Sequence, residues 1–222
     1  MAVLQVFLLK KLTGATISSI FILRVQTTGG RKGDTMFFDT PPHLISISGV
    51  SGSGKTTLIN QLEVTFGGGR IITHTSRPCR PTESGHDYHF CTTEQIHALT
   101  DALWVKENYG NWYAVTASAV YQPLRRIGIG FLPTITSHHN TLHRRLPDVI
   151  CTHIHLLAPS VEELRGRLQK RGSDTATVKT RLREINRIDS KALADRHIKT
   201  VTPNTAEVTF VEVMGIIRDA QK

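Results

Sequence analysis

The chain has 222 residues, enough for one compact domain with a sizeable core, and 39% of them are apolar. Its formal net charge of +9 favours an anionic partner, such as a nucleotide, a nucleic acid or an acidic lipid, without choosing among them. No apolar run approaches the roughly 18–20 residues of a membrane span, which excludes the membrane-spanning class and predicts a soluble protein.

The cysteines restrict the compartment. There are three of them, Cys79, Cys91 and Cys151, and no pair has zinc-ligand spacing. An odd number of cysteines does not build a disulfide framework. A reducing compartment is the simplest fit, so a cytoplasmic location is predicted.

The first 35 residues differ from the rest of the chain. Asp34 is their only acidic residue, and two apolar runs, Val6–Leu9 and Ile20–Leu23, lie among serines and threonines. Three interpretations stay open: a transit-type targeting segment, which would make the protein organellar, a disordered basic arm, or non-native upstream sequence with Met36 as the true start. Because the first core strand is predicted to begin after Pro41, residues 1–41 are assigned to an N-terminal extension.

From Pro42 onward, the hydrophobic pattern alternates between strand-like and helix-like segments. Predicted strands or buried apolar stretches cover His43–Ser48, Arg70–His74, Ile127–Ile135, Val149–Leu157 and His197–Val201. Predicted helices cover Thr56–Phe66 and Thr175–Lys191, begin at the capping pairs Thr92 with Gln95 and Ser160 with Glu163, and end near Asp219. Strands separated by helices predict the α/β fold class, with a parallel sheet flanked by helices.

The strongest motif lies between the first predicted strand and the helix after it. Residues 49–56 read GVSGSGKT and fit the P-loop pattern G-x-x-x-x-G-K-[ST] in full. Its glycines let successive backbone N–H groups turn toward phosphate oxygens. Lys55 supplies a point charge to the outer phosphates, and the Thr56 hydroxyl can bind Mg²⁺. ATP and Mg²⁺ are therefore the predicted cofactors, and the predicted nucleotide-binding residues are Gly49, Ser51, Gly52, Ser53, Gly54, Lys55, Thr56 and Thr57.

A second candidate site lies in residues 73–90. Arg77 and Arg80 are each followed by a proline, which biases the residue before it toward extended geometry. Two guanidinium groups on a stiff segment suit bidentate binding of a phosphate, and Tyr88 can add a hydroxyl group. Taken alone, this pattern is better explained as an exposed loop with solvated charges.

Several segments together closely resemble the guanylate kinase family. They are the P-loop, the S/T-R-P-x-R-P-x-E and G-x-D-Y-H-F patterns within residues 75–90, the tetrapeptide Gly110–Tyr113, and the lid-like segment Ala158–Asp174. They occur in the family's order and spacing, and the resemblance extends over about residues 42–220. It implies a P-loop NTPase fold with a core at 42–74 and 117–222, an inserted acceptor-binding domain at about 75–116 and a lid at about 168–178.

The resemblance also implies roles for individual residues. Arg171 in the lid and Arg181 on the following helix correspond to arginines that, together with Lys55, neutralise the phosphoryl group in transfer. The residues that correspond to the family's acceptor-binding positions are Thr73, Arg77, Arg80, Glu83, Tyr88, Tyr113 and Thr116. Phosphoryl transfer depends on positioning and on charge stabilisation, so the need for cations follows from the chemistry as well.

The chain departs from the family at its acidic positions. Where the family has the strand end L-D-I-D-x-Q-G, this chain has Leu132–His138, and no Asp or Glu occurs between Asn108 and Pro147. A carboxylate is the natural acceptor for guanine N–H groups, and an unpaired polar group costs about 1–3 kcal/mol. The adjacent His138 and His139 are interpreted as the start of a surface helix.

The leading hypothesis is an enzyme that converts ATP and GMP, or a related nucleoside monophosphate, to ADP and the diphosphate. Two alternatives are a ribose 1,5-bisphosphate phosphokinase-like enzyme and a non-catalytic module that binds phosphopeptides through the arginine pair. The intact Lys55 and Thr56 disfavour the non-catalytic module. The predicted partners are small-molecule nucleotides and not nucleic acid, since no recognition motif accompanies the basic charge, and the oligomeric state is left open.

Overall fold

The computed structural model describes residues 3–13, 16–26, 35–38, 41–80 and 83–221, the first three ranges as backbone only. The chain divides into two compact units. The first unit comprises Met1–Leu44, Ile71–Gly130 and Thr141–Ile150, and the second comprises Ile45–Arg70, Phe131–Asn140 and Cys151–Lys222. The predicted bounds of a core, an insert and a lid stay predictions.

The described residues form eleven strands and seven α-helices. The strands are β1 (Val3–Thr13), β2 (Thr16–Gln26), β3 (Thr35–Phe38), β4 (His43–Gly49), β5 (Thr73–Thr75), β6 (Tyr88–Phe90), β7 (Ala102–Asn108), β8 (Asn111–Thr116), β9 (Ile129–Pro133), β10 (Ile150–Leu156) and β11 (Ile198–Val201). The helices are α1 (Lys55–Phe66), α2 (Thr93–His97), α3 (Ala117–Ile127), α4 (His139–Arg145), α5 (Val161–Lys170), α6 (Thr175–Leu193) and α7 (Ala206–Asp219), with a short 3₁₀ helix at Thr136–His138.

The N-terminal strands form their own three-stranded antiparallel sheet in the order β1-β2-β3. Val3 pairs with Gln26, and Thr13 pairs with Thr16. The remaining residues of the predicted extension lie outside the described residues, and the three interpretations of residues 1–35 stay predictions.

The central sheet has the order β11-β10-β4-β9, and β10 and β11 run parallel. In β4 every residue from His43 to Ser48 is buried, as expected of a strand that is covered on both faces. Helix α1 packs against α7, and α6 and α7 pack against β11. The predicted α/β fold with helices flanking a parallel sheet is confirmed.

Helices α5 and α6 share a core with the beginning of the P-loop. Val50 packs in a buried cluster with Leu164 and Leu168 of α5 and with Val178 and Ile185 of α6. These apolar residues are four positions apart on α5 and seven positions apart on α6, which places them on one face of each helix. The packing anchors the loop to the two helices that carry the predicted catalytic arginines.

The first unit contains a second, mainly antiparallel sheet in the order β6-β5-β8-β7. Only the β5–β6 pair is parallel, and it places Thr73 opposite Tyr88. The β7–β8 register shifts between Ala102 and Trp104, so Leu103 is the additional residue of a bulge. The sheet therefore brings residues 73–75, 88–90 and 111–116 of the predicted acceptor site together.

Local helix signals were predicted well, with one exception. At α2, Thr92 and Gln95 form the predicted reciprocal capping box. At α5, the Ser160 hydroxyl accepts a hydrogen bond from the Glu163 N–H as predicted. The Glu163 side chain does not reach back to Ser160, because its carboxylate accepts a hydrogen bond from Arg167 one turn later in the helix.

The interpretation of His138 and His139 as surface residues is wrong. Their relative exposure is 6% and 2%. The His139 ring stacks on the ring of His153 in β10, with centroids 4.2 Å apart and ring planes only 5° from parallel. A contact between residues so distant in sequence leaves no local pattern. Within the described part of the chain, no helix is long and apolar enough to cross a membrane.

Helix α1 offers a direct test of this packing. Leu62 is fully buried, whereas Val64 on the same helix is 84% exposed. Leu62→Ala is expected to lower the free energy of unfolding by about 2–5 kcal/mol, because it leaves a cavity in the core. Val64→Ala, the matched control, is expected to change it by no more than about 0.5 kcal/mol. Urea denaturation followed by circular dichroism measures both, and equal effects would contradict the assigned face of α1.

Candidate active site

The P-loop connects the buried strand β4 to helix α1 and depends on glycine at defined positions. Gly49 has φ +142°, and a Cβ atom there would lie 2.5 Å from the carbonyl oxygen of Leu156. Gly54, immediately before α1, has φ +102° in the left-handed region. Other residues are strained at such φ values, so the loop follows this path only because glycine occupies both positions.

Lys55 folds back over the loop. Its Nζ donates hydrogen bonds to the carbonyl oxygens of Gly49, at 2.7 Å, and Val50, at 2.8 Å. Burial and, to a lesser extent, the positive charges of Arg171 and Arg181 together lower the pKa of Lys55 to about 8. An anion placed among these three cations would relieve their mutual repulsion.

The predicted catalytic arginines lie in the same unit as the loop. Arg181 of α6 donates a hydrogen bond to the Ser51 hydroxyl at 3.2 Å. Arg171 follows α5 and lines a cavity of about 170 Å³ together with Gly52, Ser53, Gly54 and Thr57. The structure therefore brings Lys55, Arg171 and Arg181 together around the P-loop, and their catalytic roles stay predictions.

Two features of this loop favour an anionic ligand. The hydroxyl oxygen of Ser53 is buried and has no hydrogen-bond partner within the described ranges. The side chains of Thr56 and Thr57, at the start of α1, are exposed. A buried hydroxyl without a partner is costly, and a phosphate oxygen is a partner that it can donate to.

The acceptor candidates lie in the first unit around one carboxylate. Glu83 accepts two hydrogen bonds from Arg77 Nη2, at 2.8 and 3.0 Å, and one from Arg80 Nη1 at 3.2 Å. It also accepts from the backbone N–H of Arg80. Although burial acts to raise the pKa of Glu83, these hydrogen bonds and positive charges hold it below its ordinary value. Pro81 and Thr82 of this motif lie outside the described residues.

The two arginines differ in exposure. The Arg77 side chain is 13% exposed, and its guanidinium carbon lies 5.4 Å from the centre of the Tyr88 ring. Its Nη1 also donates to the Pro78 carbonyl. The Arg80 side chain is 36% exposed and contacts only Glu83 through its guanidinium within the described residues. Arg77 is therefore held in place on several sides, while Arg80 still presents donors to a ligand.

The remaining acceptor candidates line the same sheet. Burial raises the pKa of Tyr88, and the neighbouring Tyr113 adds to the rise, so the Tyr88 phenol stays protonated near neutral pH. Thr73 is buried beside Tyr88. The Thr116 hydroxyl accepts hydrogen bonds from the Ala119 N–H and the Ser118 hydroxyl, which leaves its own hydrogen to donate.

Sequence reasoning missed a second group of residues at the P-loop. Arg167 donates a hydrogen bond to the Gly52 carbonyl at 2.8 Å and lines the cavity. Asn204 lines the same cavity. The buried chain of hydrogen bonds from Asp189 to His155 also lies in this unit. No local motif marks these residues, because each acts through a partner that is remote in sequence.

A complete P-loop at the end of a buried strand of a parallel sheet, with three cations around it, defines a P-loop phosphotransferase. A family profile described as guanylate kinase matches residues 42–219. The chain therefore belongs to the guanylate kinase family, and it is an enzyme of the nucleoside monophosphate kinase class.

Relatives and a solved structure agree with this assignment. A guanylate kinase from Wolbachia sp. subsp. Brugia malayi is 33% identical over 183 residues, covering 78% of this chain and 91% of the relative. One from Alkalilimnicola ehrlichii is 36% identical over 143 residues, covering 62% and 70%. The crystal structure of guanylate kinase from Anaplasma phagocytophilum superposes with a TM-score of 0.61 at 21% identity, covering 82% of this chain and 87% of that chain. It shows the shared fold.

The lowered pKa of Lys55 predicts how ATP affinity depends on pH. The ammonium is charged below about pH 8 and progressively neutral above it, and only the charged form attracts phosphate. The dissociation constant of ATP is expected to rise up to about tenfold for each pH unit above about 8, measured by calorimetry. Phosphate groups are already ionised in that range.

Lys55→Arg serves as the control, because a guanidinium stays charged throughout the range. Whatever affinity remains in Lys55→Arg is expected not to fall between pH 7 and pH 9.5. A wild-type affinity that is equal at both pH values would contradict the assignment of Lys55 to the phosphate.

Proposed function

We propose that this chain transfers the terminal phosphoryl group of ATP to GMP, giving ADP and GDP. The observation that carries the proposal is the convergence of Lys55, Arg171 and Arg181 on a complete P-loop. Three cations gathered at a phosphate-binding loop are suited to stabilise a migrating phosphoryl group. GMP is proposed as the acceptor because the relatives are named guanylate kinases.

On the donor side, the P-loop binds the triphosphate. Backbone N–H groups of the loop and the Ser53 hydroxyl contact phosphate oxygens. Lys55 gives up its hydrogen bonds to the Gly49 and Val50 carbonyl oxygens and binds the outer phosphates instead. A hydrogen bond between an ammonium and a phosphate is stronger than one between an ammonium and a neutral carbonyl. Arg181 and Arg171 offset the charge that develops on the transferred group.

The residues present fit a magnesium ion at the start of α1. The Thr56 hydroxyl is exposed there, and Mg²⁺ in kinases usually keeps several waters and binds the protein through one or two oxygen ligands. In the described residues no trio of His, Cys, Asp or Glu is placed to hold a metal. Thr56 is thus the protein ligand in this proposal, and bound Mg²⁺ neutralises charge on the outer phosphates.

On the acceptor side, Arg80 and Arg77 bind the phosphate of the monophosphate. Glu83 orients both guanidinium groups, and the hydroxyls of Tyr88 and Tyr113 add donors. Thr116 donates its hydroxyl hydrogen to the base, where guanine O6 is an acceptor. Thr73, buried beside Tyr88, shapes the same pocket.

We also propose a cytoplasmic location, because all three cysteines are free thiols in the structure. Burial raises the pKa of Cys151 to about 12, so this thiol stays protonated and unreactive at neutral pH. A reducing compartment suits such a set of cysteines.

Arg80 is the residue whose removal separates acceptor binding from ATP binding. Arg80→Ala is expected to raise the KM for GMP about 10- to 100-fold, since a hydrogen bond between charged groups contributes about 1.5–3 kcal/mol. The KM for ATP is expected to stay within about twofold. Arg144→Ala removes an exposed positive charge from the same unit and serves as the control. An unchanged KM for GMP in Arg80→Ala would show that the arginine pair does not bind the acceptor.

A panel of acceptors tests the choice of GMP. Release of ADP is measured with GMP, dGMP, AMP, CMP, UMP and ribose 1,5-bisphosphate in turn, and the highest kcat/KM is expected with GMP. Residues 109–146 contain no Asp or Glu. The ratio of kcat/KM for GMP to kcat/KM for AMP is therefore expected to be smaller than it would be with a carboxylate at the base. If ribose 1,5-bisphosphate is turned over faster than GMP, it is the acceptor and the choice of GMP is wrong. If no acceptor is turned over, the proposal that the chain is an enzyme is overturned.

A further inference from the structure

One carboxylate near the end of helix α6 is hydrogen-bonded to two other parts of the second unit. Asp189 Oδ1 lies 2.9 Å from Nε2 of His155 in β10. Its Oδ2 accepts a hydrogen bond from the Ala158 N–H, also at 2.9 Å, in the segment that leads from β10 into α5. Asp189 therefore joins α6 both to the central sheet and to the start of α5.

The direction of the hydrogen bond between Asp189 and His155 can be assigned. Burial holds the pKa of His155 below its ordinary value despite the opposing effect of Asp189, so the ring is neutral near pH 7. A carboxylate accepts hydrogen bonds, which places the single ring proton on Nε2, where it is donated to Asp189. Nδ1 is then an acceptor with one lone pair.

The contact continues from His155 to the end of strand β4. His155 Nδ1 lies 2.9 Å from the Ser48 hydroxyl, and both side chains are fully buried. The Thr136 hydroxyl lies farther from the same nitrogen, at 3.3 Å. Ser48 is therefore the donor to Nδ1, and it immediately precedes Gly49, the first residue of the P-loop. The end of β4, strand β10 and helix α6 are thus connected through side chains alone.

The helices that Asp189 connects are those that carry the two arginines of the proposed site. Arg181 precedes Asp189 on α6 by about 12 Å along the helix axis, at 1.5 Å per residue. Its Nη1 donates a hydrogen bond to the Ser51 hydroxyl at 3.2 Å. Arg171 follows α5 and lines the cavity at the P-loop. The position of α6 against the sheet therefore decides where the Arg181 guanidinium lies.

Helix α6 also makes apolar contacts, but these fix its position less sharply. Val178 and Ile185 pack in the buried cluster that contains Val50, and Leu182 and Ile188 lie against that cluster. Apolar burial is non-directional, whereas a hydrogen bond weakens steeply when its geometry is lost. The hydrogen bonds of the carboxylate therefore supply the directional contact that the apolar face lacks.

We propose that Asp189 is a positioning residue for phosphoryl transfer: through His155 and the Ala158 N–H it fixes α6 against the sheet and so holds Arg181 at the P-loop. The inference rests on the phosphoryl transfer of the proposed function and does not depend on which acceptor is used. A displacement of about 1 Å at a catalytic group can lower the rate about 100-fold. The rate then depends on a carboxylate that is not part of the cavity lining.

Asp189→Ala removes both acceptors and tests the inference directly. Its kcat is expected to fall about tenfold or more, while its KM for ATP stays within about twofold, because Arg181 acts on charge that develops in the transition state. Steady-state release of ADP measures both, and circular dichroism establishes that the variant is folded. Glu184→Ala removes an acid from the same helix whose partner, Arg187, is 73% exposed, and is expected to keep kcat within about twofold.

Asp189→Asn separates hydrogen bonding from charge. The amide oxygen accepts from the Ala158 N–H, and the NH₂ group donates to His155 Nε2, whose proton moves to Nδ1. The Ser48 oxygen then accepts from Nδ1 and donates its own hydrogen to the Ile154 carbonyl oxygen, which lies 3.3 Å away. Because every connection is kept, kcat is expected to stay within about threefold of the wild type.

A double-mutant cycle distinguishes positioning of Arg181 from a general loss of structure. Arg181→Ala lowers kcat by itself. When Asp189→Ala is added to it, kcat is expected to fall by no more than about twofold further, because the group that Asp189 positions is already absent. A purely structural effect of Asp189 would instead multiply the two losses.

The outcomes separate this inference from the proposed function. The inference is overturned by an unchanged kcat in Asp189→Ala, by an equal loss in Asp189→Asn, or by a full further loss in the double variant. If Asp189→Ala does not fold, Asp189→Ser takes its place in the same measurements. Its hydroxyl suits a side chain that is 15% exposed but is too short to reach both partners. A wild type that turns over no acceptor overturns the proposed function and this inference with it, whereas an active wild type with contrary variants overturns the inference alone.

Discussion

The close approach of the Gly49 backbone to strand β10 is the constraint on which the rest of the site depends. No side chain fits between Gly49 and the Leu156 carbonyl, so the loop turns where it does and delivers Lys55 to the start of α1. The same approach brings His155 next to the loop. Packing of Val50 against α5 and α6 then fixes the helices that carry the arginines. A single backbone contact thus couples phosphate binding to the core of the second unit.

The two groups of cations are held in opposite ways, and this matches their proposed roles. Glu83 neutralises part of the charge of Arg77 and Arg80 and fixes their orientation. Around the P-loop, the charges of Arg171 and Arg181 add to the effect of burial in lowering the pKa of Lys55, whose ammonium donates hydrogen bonds to the backbone carbonyls of Gly49 and Val50. Cations that repel one another are stabilised most by a ligand with a high negative charge. The loop therefore favours a triphosphate, whereas the oriented pair favours a single phosphate.

Sequence-based prediction succeeded where the signal is local and failed where partners are remote. The capping box of Thr92 and Gln95 is complete within four residues, and the pattern alone identified it. Glu163 was predicted to close a similar box, but Arg167 one turn later competes for its carboxylate. His139 was misjudged because its stacking partner His153 belongs to another strand.

By itself, the sequence determined that a P-loop follows a buried strand and that the fold is α/β, because spacing along a periodic segment is a local property. The place of Glu83 beside Arg77 and Arg80 was implied by the resemblance to the family. The tertiary structure decided which hydroxyl, histidine and carboxylate meet behind the loop. Asp189, His155 and Ser48 come from three elements, and hydrogen bonds among them form only once the sheet and α6 have packed. The direction of a hydrogen bond depends on every partner present, and distant partners leave no trace in local pattern.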